Sequence, residues 1–249
     1  MKTHHAAVFT EAMNNSFQMK TIIIPVMMVF CFLPLLAQDH PYSLALGGSI
    51  TSSSRLFFFP NDPDPTIRNY YLSMNGIWGL GIDLRRTISG SKIFIGVDAE
   101  YLWMSQTFTV EDNSGVTVPV KDGYVAFPIE LTGYFTIPVG GESFHVYIGG
   151  GVGMYFGQRV YSYDGIYSHI SDRTPGTGIH VASGVEYNFT STFALRMETK
   201  FREVQFQSSN EFPQLPPYVQ ISPPYAGQAF DSRISIDGIY LNLGIVMRF

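Results

Sequence analysis

The residues whose types and spacing point toward chemistry in this 249-residue chain are two histidines, one serine and one acidic turn. His145 and His180 each fall on the polar side of an alternating segment, in the company of Tyr147 and Tyr155. Two imidazoles make half of a zinc site, and no third ligand stands at a metal-binding spacing from them. Ser183 lies close to His180, as a nucleophile would to its base. In an extended chain, however, the side chains of residues 180 and 183 point to opposite faces. Asn61-Asp62-Pro63-Asp64 offers oxygen ligands but lacks the ligand count and the glycine of a calcium loop, so it reads as a proline-rich turn. The single cysteine, Cys31, sits in an apolar leader, which leaves the mature chain without a thiol nucleophile, a disulfide or a thiolate metal site. No catalytic residue, metal or cofactor is expected, and the chain reads as non-enzymatic.

A second set of polar residues is larger. Asp83, Lys92, Asp98, Glu100, Glu130, Glu186, Arg196, Glu198, Lys200, Arg202 and Arg248 all occupy the polar side of alternating segments, and their signs nearly balance. The segments are Tyr42–Thr51, Tyr70–Leu84, Lys92–Thr107, Tyr124–Ile137, Ser143–Phe156, Gly178–Phe189, Phe193–Gln205 and Gly238–Phe249. Each shows the period of two that marks a strand with one apolar face. In the last one, Ile239, Leu241, Leu243, Ile245, Met247 and Phe249 share a face. In the second, the apolar set is Tyr70, Leu72, Met74, Trp78, Leu80, Ile82 and Leu84.

The links between segments alternate in length. Short ones lie at 87–90, 138–142 and 190–192, and long ones at 52–69, 108–123, 157–177 and 206–237. An up-and-down barrel with turns on one side and loops on the other gives this alternation. The longest link carries Phe212-Pro213-Gln214-Leu215-Pro216-Pro217-Tyr218 and Pro223-Pro224-Tyr225, stiff and aromatic enough to contact a partner surface or fold over the barrel mouth, and equally readable as a solvated loop.

Composition agrees with a membrane barrel. Charged residues are 14%, aromatics 15%, and mean hydropathy is +0.10, because each apolar strand residue alternates with a polar one. The formal charge of −5 argues against nucleic acid as a partner, which needs a concentrated basic surface. Residues 19–37, with Lys20 ahead of an apolar run ending at Ala37, read as a signal peptide for the Sec route; 1–18 read as an upstream extension, and 38–249 as the mature domain.

The alternating segments, the alternating links and the terminal Phe249 resemble the small bacterial outer-membrane β-barrel family of the OmpX and OmpA transmembrane-domain type. The resemblance implies an all-β, eight-stranded antiparallel up-and-down transmembrane barrel with short periplasmic turns and long extracellular loops. It also implies residence in the cell outer membrane of a Gram-negative-type bacterium, contact with outer-membrane lipid, and Phe249 as the signal read by the barrel-assembly machinery. The lumen of so small a barrel is just wide enough for side chains to fill. The charged set then lies inside, with Glu186 directly opposite Arg196 across the 190–192 turn. Three functions stay open: a sealed barrel whose loops serve surface interaction or envelope integrity, a narrow porin-like channel for small solutes or ions, and an outer-membrane lipid-modifying enzyme.

Overall fold

The computed structural model describes residues 41–111, 115–139, 141, 143–212 and 228–249. The leader, the upstream extension and the proline-rich stretch 213–227 lie outside the described residues.

Period-two alternation with few breakers produces long antiparallel strands. In chain order they are β1 (Tyr42–Phe57), β2 (Tyr71–Thr87), β3 (Ile93–Glu111), β4 (Thr117–Ile137), β5 (Phe144–Tyr163), β6 (Ile166–Tyr167), β7 (His169–Thr174), β8 (Gly176–Asn188), β9 (Phe193–Glu211), β10 (Ala229–Ile236) and β11 (Ile239–Arg248). The one described helix, α1 (Pro65–Arg68), is a single turn. Strands β1, β2, β3, β4, β5, β8, β9 and β11 close into an eight-membered hydrogen-bonded ring, because β1 pairs with both β2 and β11. At the seam, Phe249 and Tyr42 exchange backbone hydrogen bonds of 2.9 and 3.0 Å, and their rings stack. Closure leaves this ring without the unpaired edge that an open sheet exposes.

The outward face is the apolar one. Ile179 is 67% exposed and Leu243 57%, values that only a lipid environment tolerates over a whole barrel wall. Aromatic rings gather at both ends of this band. Phe135, Phe144, Tyr187, Phe189 and Phe193 lie beside the short turns, and Trp78, Tyr101, Trp103, Phe127 and Phe156 lie at the far end. Trp78 and Trp103 are cross-strand partners there. Two aromatic girdles bounding an aliphatic band are the interfacial anchors of an outer-membrane barrel.

Beyond the second girdle the strands continue, and this corrects the long links expected from sequence. β1 runs on to Phe57, β3 to Glu111, and β9 to Glu211, while β4 already starts at Thr117 and β10 at Ala229. β5 reaches Tyr163 and turns back through Asp164 and Gly165, both with positive φ (48° and 77°), as a two-residue hairpin requires. Outside the membrane the outward positions become polar, as at Ser105, Thr107 and Gln207, while inward ones such as Val118, Val120 and Phe206 become apolar. Pairing persists where the lipid-facing pattern ends.

The apolar set assigned to β2 needs a second correction. Met74 is fully buried in the lumen, as is Ile77, whereas Trp78 faces lipid. The alternation slips by one at Asn75-Gly76, where Gly76 has φ +71°, and slips in step on β1 at Ser52-Ser53. Ser53 pairs with Asn75 and Ser54 with Met74, so both strands turn the same number of residues inward above the slip. A one-residue slip moves every later side chain to the opposite face.

Candidate functional site

The inward-facing residues form a stack of layers along the barrel axis. Next to the periplasmic turns, β2 and β9 contribute most of the charge. Asp83 accepts from Arg85 Nε at 2.8 Å and from Arg196 Nη1 at 2.9 Å. Arg85 Nη2 also reaches Glu198 at 2.5 Å, and its guanidinium lies 4.0 Å from the centroid of the Tyr134 ring. Glu186 stands directly across from Arg196 in the β8–β9 register and accepts from its Nε at 2.8 Å. Its other oxygen accepts from Arg248 Nη2 at 2.7 Å. Arg85 is the hub of this layer and lies outside the charged set that the sequence points to. It is inward for the same reason as Asp83, two positions earlier on β2.

The next layer is also charged. Glu130 accepts from Lys200 Nζ at 2.9 Å and from Tyr155, while Arg202 lies 3.4 Å from it and donates to Glu100 at 3.0 Å. Ser49 donates to the other oxygen of Glu100. Asp98 sits 3.7 Å from Lys200, and His180 shares a 2.8 Å hydrogen bond with Thr132. The Tyr240 ring covers the cations, 4.3 Å from the Arg202 guanidinium. Buried charges on this scale persist only when paired and hydrogen-bonded. Lys92 is the exception: it is exposed at the β2–β3 turn and joins no ion pair among the described residues.

Above the charges the lumen is apolar. Leu56, Met74, Ile77, Leu102, Tyr124, Phe206, Ile234 and Ile236 form one buried cluster across the barrel. Farther out, beyond the membrane band, Arg159 makes a bidentate pair with Asp122 (2.8 and 2.6 Å) and donates to Ser232 at 2.8 Å. Tyr161, Phe212 and Phe230 pack beside it, and burial raises the Tyr161 phenol above its ordinary range.

The remaining sequence candidates do not converge. His145 pairs in register with Glu186 near the turns, whereas His180 pairs with Gly151 six residues up β5, roughly 20 Å along the strand. Ser183 faces outward and His180 inward. Asp64 is spent capping α1, accepting from Thr66 N at 2.8 Å; Asp62 accepts from Asp64 N, and Asn61 donates to Asp231. Among the described residues no group of three His, Cys, Asp or Glu is placed to hold a metal.

Residues 23–215 match the family described as outer membrane protein beta-barrel domain. Among solved structures, the outer membrane protein OprG from Pseudomonas aeruginosa superposes with a TM-score of 0.55 at 14% identity, over 84% of this chain and 95% of that one. Neisserial surface protein A superposes with a TM-score of 0.48 at 10% identity, over 84% of this chain and 97% of that one. At such identities the likeness concerns the fold alone. No curated protein matches the sequence with significance.

Proposed function

This chain belongs to the outer membrane protein β-barrel domain family, a protein of the cell outer membrane, and we propose that it is a non-enzymatic barrel with a closed lumen. In this reading the barrel is a platform. Its extracellular extension, loops included, contacts a surface partner or supports the envelope, lipid covers its wall, and Phe249 presents the last strand to the assembly machinery.

The observation that carries the closed-lumen reading is the contact between Arg202 and Glu100 at 3.0 Å. It spans the ring from one wall to the other. A conducting path needs hydrated polar groups continuous from end to end, and here an apolar layer follows immediately above the ion pairs. The opposed faces of His180 and Ser183 support the non-enzymatic part, because a base that cannot reach its nucleophile cannot activate it.

The test is electrical. Residues 38–249, refolded and shown to shift on a gel upon heating, are inserted into a planar bilayer. Silent insertion is the expected result. Reproducible discrete current steps would overturn the closed lumen and make the protein a narrow channel.

A further inference from the structure

Below the lowest ion pairs the barrel opens toward the periplasm in a cup of about 420 Å³. Its wall includes Arg85, Lys92, Arg248, His145 and Glu186, with hydroxyl side chains such as Ser43 and Thr136 between them. Three cations therefore face one carboxylate. That carboxylate is already committed, one oxygen to Arg196 and the other to Arg248. Arg85, 2% exposed, has no hydrogen-bond partner at Nη1, which stands 3.9 Å from a carboxylate oxygen of Glu186. Lys92 Nζ sits at the rim in no described ion pair.

An orphaned guanidinium nitrogen in a buried side chain is costly, and in this cup Arg85 Nη1 and Lys92 Nζ have no partner among the described residues while the one lining carboxylate, Glu186, is committed, so the cup lacks an acceptor of negative charge. We propose that this cup is a binding site for a phosphate-class oxyanion. Lys92 supplies the accessible charge, Arg85 the buried donor, and the threonine and serine hydroxyls the remaining hydrogen bonds. Arg85 contributes Nη1 alone, because its Nε and Nη2 are held by Asp83 and Glu198, and a guanidinium N–H makes a charge-assisted hydrogen bond to an anionic oxygen. The oxyanion comes either free from the periplasm or as the headgroup phosphate of an inner-leaflet phospholipid at the rim. The site lies beneath the closed layers and does not depend on whether the lumen conducts.

The experiment titrates inorganic phosphate into the full barrel folded in a zwitterionic, phosphate-free detergent, at constant ionic strength with chloride, and follows phosphorus-31 line broadening. Saturable broadening is expected, weakened roughly tenfold in Lys92→Gln, the scale of one charge-assisted hydrogen bond. Lys92→Gln folds normally because Lys92 is exposed outside the network, and Lys121→Gln, on the extracellular side, serves as the matched control with unchanged binding. Non-saturable broadening, or equal weakening in both variants, would overturn the site. Repeating the titration in phosphatidylglycerol nanodiscs separates the sources: loss of phosphate binding there identifies the headgroup as occupant, and retained binding identifies the soluble anion.

Discussion

Arg202 on β9 and Glu100 on β3 are four strands apart whichever way the eight-strand ring is followed, yet they meet at 3.0 Å. Diametrically opposed walls are thus joined through the lumen by a single pair of side chains. Lys200 to Glu130 and Arg85 to Glu198 are two further cross-lumen ties, at 2.9 and 2.5 Å. Such ties specify which strand sits across from which. That is a constraint neighbouring-strand hydrogen bonds do not impose, since every antiparallel pair offers the same ladder.

Removing Glu100 alone should be worse than removing the tie as a whole. Glu100→Ala leaves Arg202 with Glu130 at 3.4 Å and the Tyr240 ring at 4.3 Å, so a buried cation loses its best-placed partner at a cost of about 3 kcal/mol. The double variant Glu100→Gln with Arg202→Met removes both charges and is expected to cost less than the single one. Urea unfolding of the refolded barrel, followed by the heat-dependent gel shift, measures both. A double variant less stable than Glu100→Ala would mean that the pair contributes net attraction beyond compensating its own burial.

Arg85 and Lys92 make a matched comparison seven residues apart. Arg85→Lys keeps the charge but loses the forked contact to Asp83 and Glu198 and the stacking on Tyr134, so a loss of about 2–4 kcal/mol is expected. Lys92→Gln should leave stability within about 0.5 kcal/mol, as an exposed site outside the network does. Similar unfolding midpoints for the two variants would show that Arg85 is not a hub.

Within the membrane band the sequence was almost transparent. Every inward charge from Asp83 to Arg202 follows from period two once the apolar face is given to lipid, because lipid rejects polar groups on one side and a narrow lumen rejects nothing that is paired. Arg85 is the exception, because Arg85-Arg86 directly after Leu84 reads as the start of a polar turn. Beyond the outer girdle the rule reverses. Water now lies outside, so Val120 and Phe206 turn in while Thr107 and Gln207 turn out, as in a soluble barrel. A pattern that changes sign midway through a strand reads as a loop. The paired slips at Ser52-Ser53 and Asn75-Gly76 were equally hidden, since only the register between two strands reveals them.

The extracellular extension should carry its own alkaline sensitivity. Burial holds the Tyr161 phenol above its ordinary range of about 10. A folded pKa above the unfolded one gives stability that is fully present below pH ~10 and is lost as pH rises through the folded value, because the unfolded chain ionises first. Tyr161→Phe keeps the ring against Phe212 and Phe230 while removing the titrating group. The stability difference between wild type and Tyr161→Phe, measured by urea unfolding from pH 8 to 11, should be flat up to about pH 10 and then shift in favour of the variant. A difference that stays constant across that range would show that the phenol is not shielded.

The glycines of β5 give the sharpest local test of how closely the lumen is filled. A Cβ on Gly151 would run into the Leu131 carbonyl oxygen on the neighbouring strand and come within 2.9 Å of the His180 ring. Backbone cannot yield as a flexible side chain can, so Gly151→Ala should force the β4–β5 ladder apart or displace His180 from Thr132, at about 1–3 kcal/mol. Gly133, which pairs with Gly150 on the same two strands, faces outward, and nothing lies within 4 Å of its would-be Cβ. There the added methyl meets only lipid and reduces the freedom of the unfolded chain, so Gly133→Ala should be neutral or stabilising by up to about 1 kcal/mol. The two variants differ by the same atoms on adjacent strands, and their unfolding free energies should therefore separate by at least about 1 kcal/mol. Equal values would mean that the β4–β5 ladder and the His180 ring yield to a methyl group without cost.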